Sequence, residues 1–440
     1  MRKQFFRNVL PSVMAFAFSG AYQILDGIFI GRNVGDAGLA AINIAYPITA
    51  IVQAVGTGIG MGGAIHIAVN IGAGDKEKVK KYLGNTLSLT LILCFGVTLL
   101  LALSSGGLLR TFGADGEILT LAKEYIHIIV FGATFQILGM GMVPIIRNLN
   151  GAFVAMVSMI AGFGTNIFLD YLLVGVCGYG MRGAAFATTF GQLVTSIPCI
   201  LFLLAKRKFI ALPSFIPALH IFKRIISVGI SPFGLILSPN IVLLIINKNA
   251  MAYGGENAVA AYAVTSYILI VLQLLLQGIG DGSQPLISSY YGENNRGAVQ
   301  SVRRMTYATS FLAAIIFSIA VFFSRNFLPG FFGASEGVSV QVVKILPVFI
   351  LSFVFYGFLR PTMSYFYATK KNFLSYILIY GEILLLFILM FILPPIMGLW
   401  GVWVSVAVSR GILAVAGGYL LKRQEMSNLT KGNNSECSLL

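Results

Sequence analysis

Long apolar runs recur down the whole chain, and they limit its fold more than any other feature. Residues 84–107, for example, contain no charged side chain at all. In hydrocarbon every backbone N–H and C=O must find a partner within the protein, so only α-helices and closed barrels can cross a bilayer. Barrel strands are segments of about ten residues with alternating polarity, whereas these runs are long and continuous. They are therefore read as transmembrane helices. At roughly 20 residues per span, 440 residues have room for about a dozen. Composition agrees, with 57% hydrophobic and 10% charged residues, against about 25% charged in soluble domains.

Twelve spans are expected, at about 10–31, 39–70, 84–107, 120–146, 155–177, 183–205, 225–247, 258–289, 302–323, 340–366, 373–394 and 399–420. The basic start, Met1-Arg2-Lys3, resembles the opening of a signal peptide. The apolar run after it carries Asp26 and no clear small-x-small cleavage pattern, so it is read as an uncleaved first span. The four cysteines, Cys94, Cys177, Cys199 and Cys437, form neither a disulfide framework nor a CxxC metal pattern.

The second half of the chain repeats the first. Gly35-Asp36-Ala37-Gly38-Leu39-Ala40-Ala41 lies over Gly255-Glu256-Asn257-Ala258-Val259-Ala260-Ala261. Gly58-Ile59-Gly60-Met61-Gly62 lies over Gly278-Ile279-Gly280-Asp281-Gly282, and Gly72-Ala73-Gly74-Asp75 over Gly292-Glu293-Asn294-Asn295. The offset is 220 each time, half of the 440 residues. Six spans per half give two bundles of the same orientation, expected to be pseudo-symmetric about the membrane normal with a central cavity. The fold class expected is thus all-α integral membrane. Residues 1–210 form an N-terminal six-helix lobe, 211–422 a C-terminal one, and 423–440 a cytoplasmic tail without fixed structure.

The net charge of +15 would suggest nucleic acid in a soluble protein. Here it follows the preference of Lys and Arg for cytoplasmic loops. With the N-terminus inside, 21 of the 30 Lys and Arg fall in the termini and even-numbered loops. Arg32, Arg110, Lys123, Arg182, Lys248 and Arg325 fall in the odd ones. Both termini are expected in the cytoplasm of a cell-membrane protein, working as a monomer in the bilayer and binding no nucleic acid.

Four acids lie well inside spans: Asp26, Asp170, Asp281 and Glu382. A charge at mid-bilayer costs at least about 2.5–3.5 kcal/mol, so such residues mark ion or substrate paths or are paired structurally. Asn166 and Asp170 are four apart, on one face of a helix. Thr188 faces them if the fifth and sixth spans pack as a hairpin. Asp26 is the natural fourth member. Carboxylates, amide and hydroxyl offer hard oxygen atoms suited to Na⁺, and the carboxylate pair equally suits a proton. Tyr22, Gln53, Asp281 and Glu382 are candidates for the substrate cavity, where aromatic and Met side chains suit organic cations. Arg360 and the lone histidines His66 and His127 are read as structural. No HExxH, GxSxG or Walker lysine loop is present, so no enzyme and no cofactor is expected, and energy would come from an ion gradient.

Asp26-Gly-Ile-Phe-Ile-Gly, Leu39-Ala-Ala-Ile, Arg147-Asn148, Gln284-Pro285-Leu286-Ile287 and the run from Asn166 and Asp170 through Gly180, Gly183 and Thr188 together resemble the multidrug and toxic compound extrusion (MATE) transporters. The resemblance spans nearly the whole chain. It implies secondary active efflux of cationic, amphipathic drugs by antiport with H⁺ or Na⁺, through alternating access of two lobes. One branch of the family places its ion site in the N-terminal lobe, at positions matching Asp26, Asn166, Asp170 and Thr188. Another adds an acid in the seventh span, and 225–247 contains none. A lipid-linked oligosaccharide flippase has a similar span layout, but its anionic headgroup would want cationic side chains where this chain has Asp26 and Asp170.

Overall fold

The computed structural model describes residues 1–206, 211–331 and 334–436, and nearly all of them are helical. The first six helices are α1 (Arg2–Asn33), α2 (Asp36–Gly72), α3 (Lys76–Thr111), α4 (Gly116–Asn148), α5 (Ala152–Leu169, continued by a π-helix over Asp170–Val176) and α6 (Gly180–Ala205). Residues Leu219–Gly292 are helical on either side of Gly255, whose non-helical backbone divides them into α7 (219–254) and α8 (256–292). The rest are α9 (Arg296–Ser324), α10 (Glu336–Ala368), α11 (Asn372–Met397) and α12 (Leu399–Glu436). Twelve spans follow, as the apolar runs require, several of them longer than the bilayer-crossing core. The tail boundary expected at 423 falls inside α12, because the polar residues 423–436 continue that helix. Residues 437–440 and the expected lobe boundary at 210 lie outside the described residues.

The repeat holds through all twelve helices with no change of offset. Residues 36–72 recur as 256–292, Gly116–Asn148 as Glu336–Ala368, and the starts of α3 and α5 as those of α9 and α11. The breaks between helices recur too. Gly35 has φ 81°, ψ −165° and Gly255 φ 65°, ψ −162°. This region is open in practice only to glycine. Asn150 and Lys370 (φ 64° and 57°) and Gly178 and Gly398 (φ 68° and 59°) are further pairs 220 apart. The cap of α3, where the Lys78 N–H donates to Asp75 Oδ1 at 3.0 Å, is copied in α9, where the Ala298 N–H donates to Asn295 Oδ1 at 3.0 Å. One local chain geometry has been written twice.

By packing, the chain divides into two compact units that are not its two halves. The first comprises Met1–Asn240, Gln277–Met305 and Ala368–Lys370; the second comprises Ile241–Leu276, Thr306–Tyr367 and Lys371–Leu440. Small residues in the repeat draw parts of α7 and α8 into the first unit. Gly58 of α2 meets Gly229 and Phe233 of α7, and Gly278 of α8 meets Ser12 and Val13 of α1. At the helix ends, a Cβ on Gly72 would strike the Ser289 carbonyl, and one on Gly292 the Val69 carbonyl. These are the same contact seen from both copies. Asn148 and Gln284 exchange side-chain amide hydrogen bonds of 2.9 and 3.1 Å nearby, and Gln284 also donates to Ser288 Oγ at 2.8 Å.

The core of the first unit is aliphatic, with Ile48, Val52, Ile126 and Ile137 in one cluster and Met142, Ile145, Met159 and Phe163 in another. Large apolar side chains such as Phe95 (75% exposed) and Leu103 (81%) point outward from α3. In water this surface would be a liability; in a bilayer it is the wetted face.

Candidate functional site

The four N-terminal polar residues come together inside the first unit. Asp26 sits on α1, which packs along α5. Asn166 and Asp170 are 2% and 1% exposed. The Asn166 amide donates to Thr188 Oγ1 across the α5–α6 hairpin at 3.4 Å, a long bond. The hairpin expected from the sequence therefore forms. The carboxylates of Asp26 and Asp170 lie close enough to interact directly.

Asn166 and Asp170 lie one α-turn apart as expected, the Asp170 N–H bonding the Asn166 carbonyl. What the sequence did not announce is that Asp170 then begins a π-helix that runs to Val176. The wider i→i+5 turn is seen where the Cys177 N–H donates to the Leu172 carbonyl at 2.9 Å. Single π-turns inside α-helices gather at functional sites, and this one starts on the buried acid itself.

The hydrogen-bond inventory is lopsided. Asp26 Oδ1, Asn166 Oδ1 and both carboxylate oxygens of Asp170 are shielded from solvent and receive no donor. Two facing carboxylates are both acceptors while ionised, so neither satisfies the other. Buried polar oxygens are rarely left in this state. The set wants something positive: a proton between the carboxylates, or a small cation bound by the oxygen atoms.

Tyrosines surround the group. The Tyr22 ring stacks on Phe163, with centroids 5.2 Å apart and planes 10° from parallel. Tyr125 of α4 is 5% exposed and its hydroxyl meets that of Thr188. Tyr125 was not among the candidates, since nothing in the spacing of the fourth span separates it from the other tyrosines of this chain. What places it is the packing of α4 against α6.

The other candidates are placed elsewhere. Gln53 is half-buried on α2. Asp281 is buried in the first unit, and its main-chain carbonyl accepts from the Arg147 guanidinium at 3.4 Å. Glu382 lies in the second unit, ion-paired with Arg410 at 2.9 Å, so it is not a free acid awaiting substrate. Arg360 donates to Ser364 Oγ at 2.6 Å within α10, and His66 stacks on Tyr82 at 4.4 Å, so both make local packing contacts.

The second copy of the repeat has no counterpart of the N-terminal group. Moving each member on by 220 gives Ile246, Leu386, Met390 and Val408. The first three are 0%, 1% and 4% exposed. The second copy fills the same positions with hydrocarbon.

A chain of twelve apolar helices in two sequence repeats, the first carrying a buried cluster of unpartnered oxygens, is built as a polytopic membrane protein. It belongs to the MATE family: the family profile described as MatE matches residues 11–172 and again 236–392, one match in each half. The chain is 26% identical over 416 residues to the multidrug export protein MepA of Staphylococcus saprophyticus, covering 92% of this chain and 90% of that protein. Among solved structures, it resembles an outward-facing multidrug resistance MATE family transporter of the MOP superfamily, with a TM-score of 0.91, 27% identity and 97% and 96% of the two chains covered. A crystal structure of MATE in complex with MaL6 matches with a TM-score of 0.90, 27% identity and 98% and 97% covered.

Proposed function

We propose that this chain is a multi-pass cell-membrane exporter of cationic and amphipathic drugs. It works by antiport with H⁺ or Na⁺, and both of its ends are cytoplasmic. The observation that carries this reading is the group of buried oxygens on Asp26, Asn166 and Asp170 that receive no hydrogen bond. A proton or Na⁺ held there relieves the repulsion between the carboxylates and gives those oxygens a partner. Alternating access supplies the mechanism. The ion favours one packing of the helices and the drug the other, and each shifts the equilibrium only by its differential affinity for the two states. The π-turn at Asp170 lets the ion's arrival be felt along the end of α5, since a backbone with misaligned hydrogen bonds is easily re-registered.

The test is ethidium efflux from proteoliposomes with the Na⁺ and pH gradients imposed one at a time. Export driven by one gradient and absent without either is expected. Export that proceeds with no ion gradient would sink the antiport reading.

A further inference from the structure

The second unit contains a charge cluster that the proposed ion cycle does not use. The Nε of Arg410, on α12, donates to Glu382 Oε1 of α11 at 2.9 Å, and its Nη1 donates to Ser352 Oγ of α10 at 3.2 Å. The guanidinium carbon lies 4.9 Å from the ring centre of Phe353 and 4.8 Å from that of Tyr356. Glu382 and Arg410 are 7% and 5% exposed. Tyr262 of α8 packs beside them, with ring centres 5.7 Å from Phe349 and 6.0 Å from Trp403.

The bland explanation is an ion pair that fastens α11 to α12. The repeat argues against it. At the same positions in the first copy, Glu382 becomes Gly162, Arg410 becomes Phe190 and Ser352 becomes Gly132. There α5 and α6 are joined by the close approach of Gly162 to Gly191 and Thr195. The same helix pair packs without any charge. Removing two charges from water also often costs more than their contact returns, so fastening alone does not explain why the second copy has them.

A carboxylate, a hydroxyl and two aromatic faces around one positive group is the chemistry that recognises organic cations. We propose that Glu382, Ser352, Phe353 and Tyr356 form an organic-cation site, and that Arg410 is its resident occupant, displaced when a substrate cation enters. This rests on the reading of the chain as a cation exporter and adds to it where the substrate sits and what it competes with. The box is neutral as it stands. A monovalent cation replacing the guanidinium keeps the charge balance at Glu382, whereas an anion or a neutral drug does not.

Equilibrium binding of tetraphenylphosphonium to the purified full-length protein tests this. Arg410→Gln removes the competitor and should tighten binding at least five-fold over wild type. Arg410→Gln combined with Glu382→Gln should bind more weakly than wild type. A purely structural pair predicts the reverse for the single variant: lower thermal stability, with affinity unchanged or lost, and that result overturns the proposal. If Arg410→Gln does not fold, Tyr356→Leu leaves the ion pair in place and removes one ring. It should weaken binding about three-fold, and unchanged affinity overturns the site. Binding by wild type that none of these substitutions moves refutes the box alone. No binding by wild type or by any variant refutes the drug-export reading together with it.

Discussion

At the scale of single residues, the proposed ion site makes its sharpest commitments at Asp26 and Asp170. Asp26→Asn and Asp170→Asn keep the side-chain volume but remove the ionisable group. Each should abolish gradient-driven ethidium efflux while leaving an inserted, folded protein. Because the two acids serve one site, the double variant should be no worse than either single one. Wild-type pumping by both variants would dismiss the site. Thr188→Ala is a milder test, since its hydroxyl accepts from Asn166 and meets Tyr125. A hydrogen bond between neutral groups is worth about 0.5–1.5 kcal/mol, so the half-saturating concentration of the driving ion should rise by up to roughly ten-fold with expression unchanged. An unaltered ion dependence removes Thr188 from the site. The four residues of the proposed site were legible in the sequence because acids are costly in a span and Asn166 and Asp170 fall one turn apart. It could not disclose Tyr125, which reaches the site only through the packing of α4 on α6. Nor could it tell that Glu382 is neutralised, because its partner Arg410 is 28 residues away on the next helix.

Helices tell a related story about what is legible. Hydropathy located every span, because the bilayer demands a run of fixed length. It gave no warning of the π-turn in α5, where 170–176 is as apolar as an α-helical span would be. In the C-terminal copy, residues 390–396 stay in the α-helix and carry Pro394 and Pro395. The glycine breaks were legible as a repeated motif, though their backbone angles were not. With Gly255 held at φ 65°, ψ −162°, Gly255→Ala should destabilise the protein by about 1–3 kcal/mol. Thermal unfolding in detergent measures this, and Gly35→Ala should match it. An alanine tolerated at either position without loss would mean that α1–α2 or α7–α8 can join by another turn.

For the molecule as a whole, charge distribution predicts orientation. A cysteine introduced at Lys78, in the first turn of α3, should react only with reagents reaching the cytoplasmic side. One introduced at Gly330, between α9 and α10, should react only from outside. Labelling of both from one side would overturn the arrangement. The repeat made the two-bundle plan readable from the sequence. The division into packed units was not readable, because it depends on which glycines let α7 and α8 close on α1 and α2.

The hydrocarbon at Ile246, Leu386 and Met390 has an electrical consequence. With the proposed ion-binding groups in one copy only, each turnover that carries one monovalent ion inward and one monocationic drug outward moves no net charge. A membrane potential is worth about 2.3 kcal/mol per elementary charge per 100 mV, and none of that reaches such an exchange. The chemical gradient of the ion alone then sets how far a monocation can be concentrated outside. A dicationic drug exported by the same cycle moves one charge outward against an inside-negative voltage. Clamping proteoliposomes at 0 and −100 mV with a potassium ionophore should therefore leave monocation efflux unchanged and slow dication efflux. Monocation efflux that quickens at −100 mV would mean that more than one charge enters per cycle.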